Sequence, residues 1–374
     1  MPTAATKQHS AVTSPYPGRL TRLRRVIATS GQSHALITNP LDVAYLTGFH
    51  GGDSYLLLGA KDAAIISDFR YAEELEPIRR LAKIIIREGA MKDAVVTALK
   101  NRGIRACAVQ AEAMTIAERD SLARAAGRSV RLLPVSGLVA AMRAVKDAGE
   151  IELIRRAVRL QEQALLATLP HLKPGMTELE VAARLEFEMK VRGSSQPGFQ
   201  TIVAAQPFGS LPHYRPGKAK LAMNKTVLID WGSVYHGYHG DMTRVFALGK
   251  WPAKIKEIYQ ITLDAKEHAA AALAPGRTTK EIDAIARDYI TKHGYGKEFG
   301  HGLGHGLGFN GHEDPRITHM APPAELQPGH VVTIEPGIYL PGIGGVRIED
   351  DYVITGKGAK NLCTLPQSLE WATL

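Results

Sequence analysis

The hydrophobic pattern divides the chain into two regions. In the first region, short apolar runs predict strands at residues 35–37, 55–58, 63–67 and 83–87. Apolar positions also recur at helical spacing around residues 71–81, 91–100 and 116–126. Strands that alternate with helices in this way indicate an α/β domain. We place this domain at residues 19–145, with a basic first helix at its start.

The second region opens with a long amphipathic helix, predicted over residues 146–172. It then repeats one order of elements, namely a long helix, a capped helix and a β-rich stretch. In each repeat the motif P-G-x-T-x-x-E starts the capped helix with a Thr N-cap and the Glu of a capping box, at residues 174–180 and 275–281. The predicted helix pairs are 146–172 with 178–192, and 252–273 with 279–292. We therefore expect an α+β domain over residues 146–374 with an internal pseudo-two-fold.

Each half of this second domain offers two carboxylates on neighbouring strands. An apolar strand ends in Asp230, and Asp241 follows after an excursion that contains glycine. In the other half an apolar strand ends in Glu335, and Glu349 follows an excursion of the same kind. A hairpin brings its two carboxylates close together. A two-fold would then bring both hairpins to one site.

Carboxylates among apolar residues need cations, because burying even one unpaired charge costs roughly several kcal/mol. Arg244 and Arg347 lie close in sequence to these carboxylates and could supply positive charge. One or two divalent metal ions would neutralise the set more completely, and a carboxylate-bridged pair about 3.5–4 Å apart is a recurrent hydrolytic arrangement. Oxygen ligands with one imidazole suit Mn²⁺, Co²⁺ or Fe²⁺, and Zn²⁺ is a further candidate.

The run HGLGHGLGFNGHEDP, residues 301–315, combines three histidines with five glycines. Residues 306–311 match G-x-G-x-x-G formally, but no helical pattern follows, so we discard a dinucleotide-binding interpretation. The glycines instead allow the backbone to approach a crowded metal site. From the residues alone, the imidazole ligand could be His301, His305 or His312.

Composition and charge exclude several classes of function. The chain of 374 residues has a net charge of +9, but its basic residues are dispersed without a nucleic-acid-binding motif, so we expect no nucleic-acid partner. No apolar run is long enough to span a membrane, and the N-terminus lacks an apolar secretory segment. We expect no membrane attachment and a cytoplasmic location. Cys107 and Cys363 are expected to be reduced, buried thiols.

The second domain resembles the catalytic domain of the pita-bread metallopeptidases, a family that includes methionine aminopeptidase, prolidase (Xaa-Pro dipeptidase) and aminopeptidase P. The matching segments are LPHYRP, DWGSVYHGYHGDMTRVF, GHGLGFNGHEDPR, TIEPGIY and GVRIEDDYVIT. The first domain, with ITNPLDVAYLTGF and SDFRYAEE, resembles the creatinase-like N-terminal domain of prolidase and aminopeptidase P. The resemblance covers nearly the whole chain.

This resemblance implies two divalent metal ions, with Mn²⁺ first among the candidates, that hold a bridging hydroxide as the nucleophile. The family's ligands have counterparts here at Asp230, Asp241, His305, Glu335 and Glu349. His301 would then lie in the wall of the pocket or outside the ligand set.

The resemblance also implies roles for the side chains around the metals. Glu335 would act as the general base, His312 would stabilise the oxyanion, and His213 would meet the scissile peptide. Arg316 resembles the arginine with which prolidases hold the C-terminal carboxylate of the substrate. Arg347 would support the site electrostatically on the substrate side.

The implied activity is hydrolysis of the bond before proline in short peptides, with dipeptidase favoured over aminopeptidase. Two alternatives use the same fold: a non-catalytic binding protein and a metal-free hydrolase of the creatinase type. Both would be expected to lack part of the ligand set, and no ligand is missing from this sequence. Relatives are commonly dimeric, which implies a homodimer by analogy.

Overall fold

The computed structural model describes residues 14–374. The described residues form two compact units that divide between Met142 and Arg143. A short helix, Ala140–Ala144, spans the point of division. Within the described residues, no helix combines the length and the apolar character needed to cross a membrane.

The unit before residue 143 is built on one mixed six-stranded sheet. Its strands are β1 (His34–Ile37), β2 (Tyr55–Gly59), β3 (Ala63–Ser67), β4 (Lys83–Ile86), β5 (Ala106–Gln110) and β6 (Arg131–Val135). Its helices are α1 (Tyr16–Thr29), α2 (Pro40–Thr47), α3 (Met91–Asn101) and α4 (Ile116–Ala126), followed by α5, the helix at the division. The strand order is β4-β3-β2-β1-β5-β6, antiparallel among β1, β2 and β3 and parallel elsewhere. Residues of α3 and α4 pack with the sheet in one apolar core.

The helix expected over residues 71–81 is absent, which corrects that prediction. The chain forms two 3₁₀ turns instead, Phe69–Tyr71 and Glu76–Arg80. Pro77 explains the interruption, because proline lacks an N–H and disfavours the α conformation at the residue before it. The basic first helix is present and begins at Tyr16. The strands and the two other helices that were predicted with bounds in this unit are also present, with those bounds shifted by a residue at most.

The second unit contains two pairs of long helices, two larger antiparallel sheets and two two-stranded hairpins. The helices are α6 (Ala148–Thr168), α7 (Glu178–Val191), α8 (Ala253–Ala271) and α9 (Thr279–Lys292). The strands of the first half are β7 (Ile202–Ala205), β8 (Lys225–Trp231), β9 (Val234–Tyr235), β10 (Tyr238–His239) and β11 (Met242–Leu248). Those of the second half are β12 (Gly304–Gly306), β13 (Glu313–Ile317), β14 (Val331–Ile334), β15 (Gly337–Leu340), β16 (Gly344–Arg347), β17 (Asp350–Ile354) and β18 (Ala359–Asn361). The sheet orders are β11-β8-β7 and β13-β12-β14-β17-β18.

The two halves of this unit repeat one local arrangement. Helix α6 packs on α7, and α8 packs on α9. Thr177 and Thr278 cap α7 and α9, and each forms the complete capping box predicted from the motif. The turn before each capped helix also pairs with a later segment in the same way, through the bridges Thr177 with Lys220 and Thr278 with Glu325. The internal pseudo-two-fold is therefore visible in the hydrogen bonds as well as in the sequence.

Candidate metal centre

The four carboxylates singled out in the sequence lie at equivalent places in the two halves. In the first half, Asp230 lies near the end of β8 and Asp241 directly precedes β11, the strand that pairs with β8. In the second half, Glu335 directly follows β14 and Glu349 directly precedes β17, the strand that pairs with β14. Short hairpins, β9 with β10 and β15 with β16, form the excursions between them.

One cleft of about 490 Å³ collects all the side chains that the sequence nominated for the site. They are Asp230, Asp241, His305, Glu335 and Glu349 as expected ligands, and His213, His312, Arg316 and Arg347 as expected catalytic or substrate-side residues. All nine side chains line this cleft. The cleft therefore brings ligand-type and substrate-side groups into one place.

His305 directs one ring nitrogen at the carboxylates. Its Nε2 lies 3.3 Å from Oε1 of Glu335 and 3.8 Å from Oδ2 of Asp241. Ligand atoms of His305, Asp241 and Glu349 all lie within 4.8 Å of one another. The opposite nitrogen, Nδ1, donates to the carbonyl oxygen of Gly306 at 3.1 Å. That bond places the proton on Nδ1 and leaves the Nε2 lone pair free to bind a metal.

The carboxylates of this cluster are buried together. Burial raises the pKa of Asp241 and Glu349 well above the ordinary values. Repulsion from Glu349 and Asp230 raises the pKa of Asp241 further, and repulsion from Glu335 and Asp230 does the same for Glu349. Burial raises the pKa of Glu335 to about 8. Desolvation and like charges both disfavour ionisation, and the positive charge of Arg347 offsets only part of this effect at Glu335 and Glu349.

The donor set fits divalent metal ions. Among the described side chains, the only direct ion pair of a Lys or Arg with one of these four carboxylates is that of Arg347 with Asp230. The other oxygen of Asp230, Oδ1, is buried and has no hydrogen-bond partner within the described residues. A buried, unpartnered carboxylate oxygen beside further carboxylates and a free imidazole lone pair is the environment that a hard or borderline cation satisfies.

His301 faces a different set of partners. Its Nδ1 donates to the carbonyl oxygen of Gly302 at 2.8 Å, and its Nε2 lies 2.9 Å from the hydroxyl of Tyr339. That hydroxyl accepts a hydrogen bond from Nη1 of Arg347 at 2.8 Å, so its proton points to His301. Both ring nitrogens of His301 are therefore engaged outside the carboxylate cluster. Burial lowers the pKa of His301 to about 4 and that of His305 to about 3, so both rings are neutral.

The two arginines considered as alternatives to metal have separate partners. Arg347 pairs with Asp230 and also donates to the hydroxyl of Thr243 at 3.1 Å. Arg244 instead forms a buried ion pair with Asp350 at 2.7 Å. Arg244 therefore does not supply the charge that the sequence allowed it to bring to the ligand carboxylates.

Threonine hydroxyls hold two of the expected ligands, Glu349 and Glu335, and neither threonine was predicted from the sequence. Thr243 donates to Oε2 of Glu349 at 2.6 Å. Thr333 donates to Oε1 of Glu335 at 3.2 Å and accepts from the backbone N–H of His305 at 3.0 Å. Thr243 lies two residues after Asp241 and Thr333 two residues before Glu335, and this closeness in sequence was the available signal.

The substrate-side residues lie on exposed parts of the cleft. His213, His312 and Arg316 are exposed, and the ring of His312 stacks on that of His305 with centroids 3.9 Å apart. The next residue, Glu313, turns the other way and forms buried ion pairs with Lys146 and Arg143. Glu313 and its two partners were not among the residues predicted from the sequence.

Comparison with known proteins places this arrangement in a family. Residues 152–356 match Metallopeptidase family M24. The chain belongs to family M24. Residues 19–145 match the Creatinase/Prolidase N-terminal domain. The predicted fold class, a creatinase-like α/β domain followed by a pita-bread domain, is thereby confirmed.

Individual relatives of this M24 protein cover almost all of its length. It is 33% identical over 357 residues to the Xaa-Pro dipeptidase of Pyrococcus furiosus, which covers 94% of this chain and 99% of that protein. It superposes with a TM-score of 0.92 on the Xaa-Pro dipeptidase from Bacillus anthracis, at 35% identity and with 96% and 100% of the two chains covered. The X-Pro aminopeptidase from Thermotoga maritima gives a TM-score of 0.85 at 34% identity, with 93% and 99% covered. Membership of M24 makes the protein a metallopeptidase and implies divalent metal ions at the carboxylate cluster.

Proposed function

We propose that this protein is a metal-dependent Xaa-Pro dipeptidase that hydrolyses the bond before proline in short peptides. One observation carries the proposal: a single cleft of the M24 domain holds the five ligand-type side chains together with His213, His312 and Arg316. The creatinase-type first domain supports the preference for proline, since similar full-length chains are named Xaa-Pro dipeptidase and X-Pro aminopeptidase. A binding-only protein or a metal-free hydrolase would have no need of a complete ligand set.

We propose that two divalent metal ions bind at this cluster, with Mn²⁺ first because the donors are mostly carboxylate oxygens. The residues that would hold them are Asp230, Asp241, His305, Glu335 and Glu349. When bound, such metals lower the pKa of water so that it can attack a peptide carbonyl at neutral pH. Thr243 and Thr333 fix two of the carboxylates in place, which reduces the rearrangement needed on binding.

The chain itself supplies the proton transfer. The carboxylate of Glu335 lies in the cleft, where it can take a proton from the attacking water and return it to the proline nitrogen as the peptide bond breaks. Its Oε1 accepts a hydrogen bond from Thr333, which helps to hold the carboxylate in place for this exchange. The products are the free amino acid and proline.

His312 and His213 complete the reacting site. We assign His312 to the oxyanion, because its ring stacks directly on His305 and is therefore held beside the ligand cluster. We assign His213 to the scissile peptide, because it lines the same cleft from the segment that follows β7.

Arg316 distinguishes a dipeptidase from an aminopeptidase in this proposal. It lines the cleft, and within the described residues no carboxylate lies within ion-pair distance of its guanidinium. A guanidinium in this state suits the C-terminal carboxylate of a dipeptide, which it can bind with two parallel hydrogen bonds. A longer peptide would place an amide where that carboxylate lies.

The test compares two substrates in the presence and absence of metal. Chelated protein is incubated with Ala-Pro and with Ala-Pro-Ala, with and without Mn²⁺ or Co²⁺, and the released amino acids are measured. We expect metal-dependent cleavage of Ala-Pro and much slower cleavage of Ala-Pro-Ala. No metal-dependent release from either peptide would contradict the peptidase proposal. Equal rates for the two peptides would favour the aminopeptidase activity instead.

A further inference from the structure

Glu178 is a buried carboxylate held by neutral donors. It is the first residue of α7 and is fully buried. Its Oε1 accepts from the backbone N–H of Ala205 at 2.8 Å, and its Oε2 accepts from the hydroxyl of Tyr214 and the backbone N–H of Gly217, both at 2.9 Å. No Lys, Arg or His of the described chain forms an ion pair with it. Its charge is compensated by these three bonds and by the positive end of the helix dipole.

The donors connect two segments of the candidate site. Tyr214 directly follows His213, and Gly217 lies three residues further along. Ala205 is the last residue of β7, the strand that pairs with β8 and places Ile202 opposite Asp230. Through one carboxylate, the segment that carries His213 is therefore tied to the sheet that carries a ligand.

Other bonds to this segment are the backbone bonds from Tyr214 to Leu211 and from Leu179 to Gly217, and the bond from the Arg215 side chain to Gln200. His213 and Arg215 are exposed, whereas Tyr214 is partly buried and stacks on Phe208 with ring centroids 5.1 Å apart. The bond from Tyr214 to Glu178 holds this ring at its polar end, and burial raises the pKa of the Tyr214 hydroxyl to about 12. The hydroxyl therefore stays protonated as a donor to the carboxylate at any pH at which the enzyme would work.

The other half of the domain shows what the fold requires at this place. Thr279 holds the position equivalent to Glu178, directly after the N-cap of α9. Its backbone N–H donates to Ala324 as that of Glu178 donates to Ala219. Its short side chain accepts only the backbone N–H of Ala324, at 3.1 Å. A threonine at this position is thus enough for the capped helix and its turn to form. The bonds that the Glu178 side chain makes to Ala205, Tyr214 and Gly217 are therefore not required by the repeated fold.

We propose that Glu178 is a positioning residue, whose carboxylate fixes the Tyr214–Gly217 turn and thereby holds His213 in the cleft against the ligand cluster. The inference rests on the proposed function, because it assigns Glu178 an effect that passes through His213. Glutamate at this position would then serve catalysis and not only folding.

A double-mutant cycle on Ala-Pro cleavage with Mn²⁺ tests this inference. The variants are Glu178→Gln, His213→Ala and the two combined, with kcat and KM measured for each. Glutamine at 178 keeps one acceptor for Ala205 but presents an amide donor to Tyr214 or Gly217. We expect Glu178→Gln to lower kcat about tenfold to a hundredfold, the loss typical of a misplaced catalytic group, with KM little changed. In the His213→Ala background the same change should have no further effect.

Two further variants guard against a trivial result. Glu180→Gln is the matched control, because Glu180 lies on the same turn of α7, bonds only to Thr177 and retains its capping box as glutamine. We expect it to leave kcat and KM unchanged. Tyr214→Phe removes only the hydrogen bond from Tyr214 to Glu178. If Glu178→Gln does not fold, this variant tests whether that bond positions His213. Its smaller loss in kcat should also vanish in the His213→Ala background.

The outcomes separate the inference from the proposed function. Metal-dependent cleavage by the unmodified chain, with losses for Glu178→Gln that multiply with those for His213→Ala, would overturn the inference alone. A loss of bound metal in Glu178→Gln equal to the loss of activity would overturn it as well. If the unmodified chain with Mn²⁺ does not cleave Ala-Pro, the proposed function fails and the inference fails with it.

Discussion

The imidazole rings of His305 and His312 stack with centroids 3.9 Å apart and planes inclined by 28°. Nε2 of His305 is directed at Glu335 and Asp241, whereas His312 is exposed in the cleft. The two rings are in contact, but His305 faces the carboxylates and His312 faces the open cleft. The stack therefore connects the ligand cluster with the space that a substrate would occupy.

The first prediction separates the histidines of the glycine-rich run. His305→Ala should lose bound metal and activity together, because among the described residues it removes the only imidazole within ion-pair distance of the four carboxylates. His301→Ala should retain most of its metal at saturating Mn²⁺, because both ring nitrogens of His301 contact other groups. Metal content by mass spectrometry and the rate on Ala-Pro check both. Metal loss in His301→Ala with retention in His305→Ala would reverse our assignment.

The second prediction concerns Arg316. We expect Arg316→Gln to lower kcat/KM for Ala-Pro about tenfold to a hundredfold, since a hydrogen bond to a charged group contributes about 1.5–3 kcal/mol. The rate on Ala-Pro-Ala should change little, because that peptide has no carboxylate at the same place. Arg316→Lys keeps the positive charge but cannot form two parallel hydrogen bonds. Its kcat/KM for Ala-Pro should therefore lie between those of the unmodified chain and Arg316→Gln. An equal loss of kcat/KM on both peptides would show that Arg316 does not bind the C-terminal carboxylate of the dipeptide.

The third prediction concerns the ion pairs below His312. Glu313 pairs with Lys146 at 3.0 Å and Arg143 at 2.5 Å, and its side chain is 4% exposed. Although burial alone would raise it, these two cations hold the pKa of Glu313 below its ordinary value. Glu313→Gln removes the buried carboxylate that Lys146 and Arg143 share, so we expect it to lower the free energy of unfolding by about 3–5 kcal/mol.

Glu152→Gln is the matched control for this measurement. Glu152 pairs with Arg155 and Arg156 on the surface of α6, and its side chain is 42% exposed. The same substitution there should cost about 0–1 kcal/mol, since solvent screens exposed pairs. Urea titration followed by tryptophan fluorescence compares the two. Similar small losses would mean that the Glu313 pairs are as well solvated as those of Glu152.

The fourth prediction is a pH dependence of stability at His330. Its Nδ1 accepts from the backbone N–H of Gln327 at 3.2 Å, and burial, with a further contribution from Lys146, lowers its pKa to about 4. The unfolded chain binds a proton near pH 6.5 while the folded chain does not until about 4. The stability contributed by neutral His330 is therefore full above pH 6.5 and is lost as the pH falls from 6.5 towards 4.

A His330→Asn variant measures this contribution, because the asparagine oxygen can accept the same backbone bond without titrating. The unmodified chain should lose roughly 2–3 kcal/mol more than the variant between these pH values. Unfolding free energies from urea titrations at pH 7 and pH 4.5 provide the comparison. Parallel losses in the two proteins would assign the acid sensitivity to other groups.

Local sequence signals predicted much of the fold and the grouping of the four carboxylates in one cleft. Thr177 and Thr278 formed their capping boxes as expected, because such a box needs only residues within one turn of helix. The placement of Asp230 beside Asp241 followed from a strand, a turn and a returning strand. The choice of His305 over its neighbours needed the resemblance, since spacing alone left three histidines open.

Ion pairs between residues far apart in the chain could not be predicted from the sequence. Glu349-Asp350-Asp351 has the composition of a solvent-facing run, yet Asp350 is fully buried between Arg244 and Lys266, which lie on β11 and α8. Glu313 meets Lys146 across 167 residues of chain. No periodicity encodes such pairs, because they depend on how distant elements pack. The helix prediction at residues 71–81 was wrong for the opposite reason. Pro77 was a local signal against a helix, but the prediction gave more weight to the helical spacing of apolar residues.

The register between β8 and β11 also limits how this enzyme can vary in length. Thr243 lies opposite Asp230, and side chains alternate between the two faces of a strand. Inserting one residue within β11 would turn Thr243 away from Glu349 and displace Asp241 at the same time. Additions at the tip of the β9–β10 hairpin, at His236 and Gly237, would leave both strands in register. Insertions and deletions among natural variants should therefore occur at that tip and be absent from the paired strands.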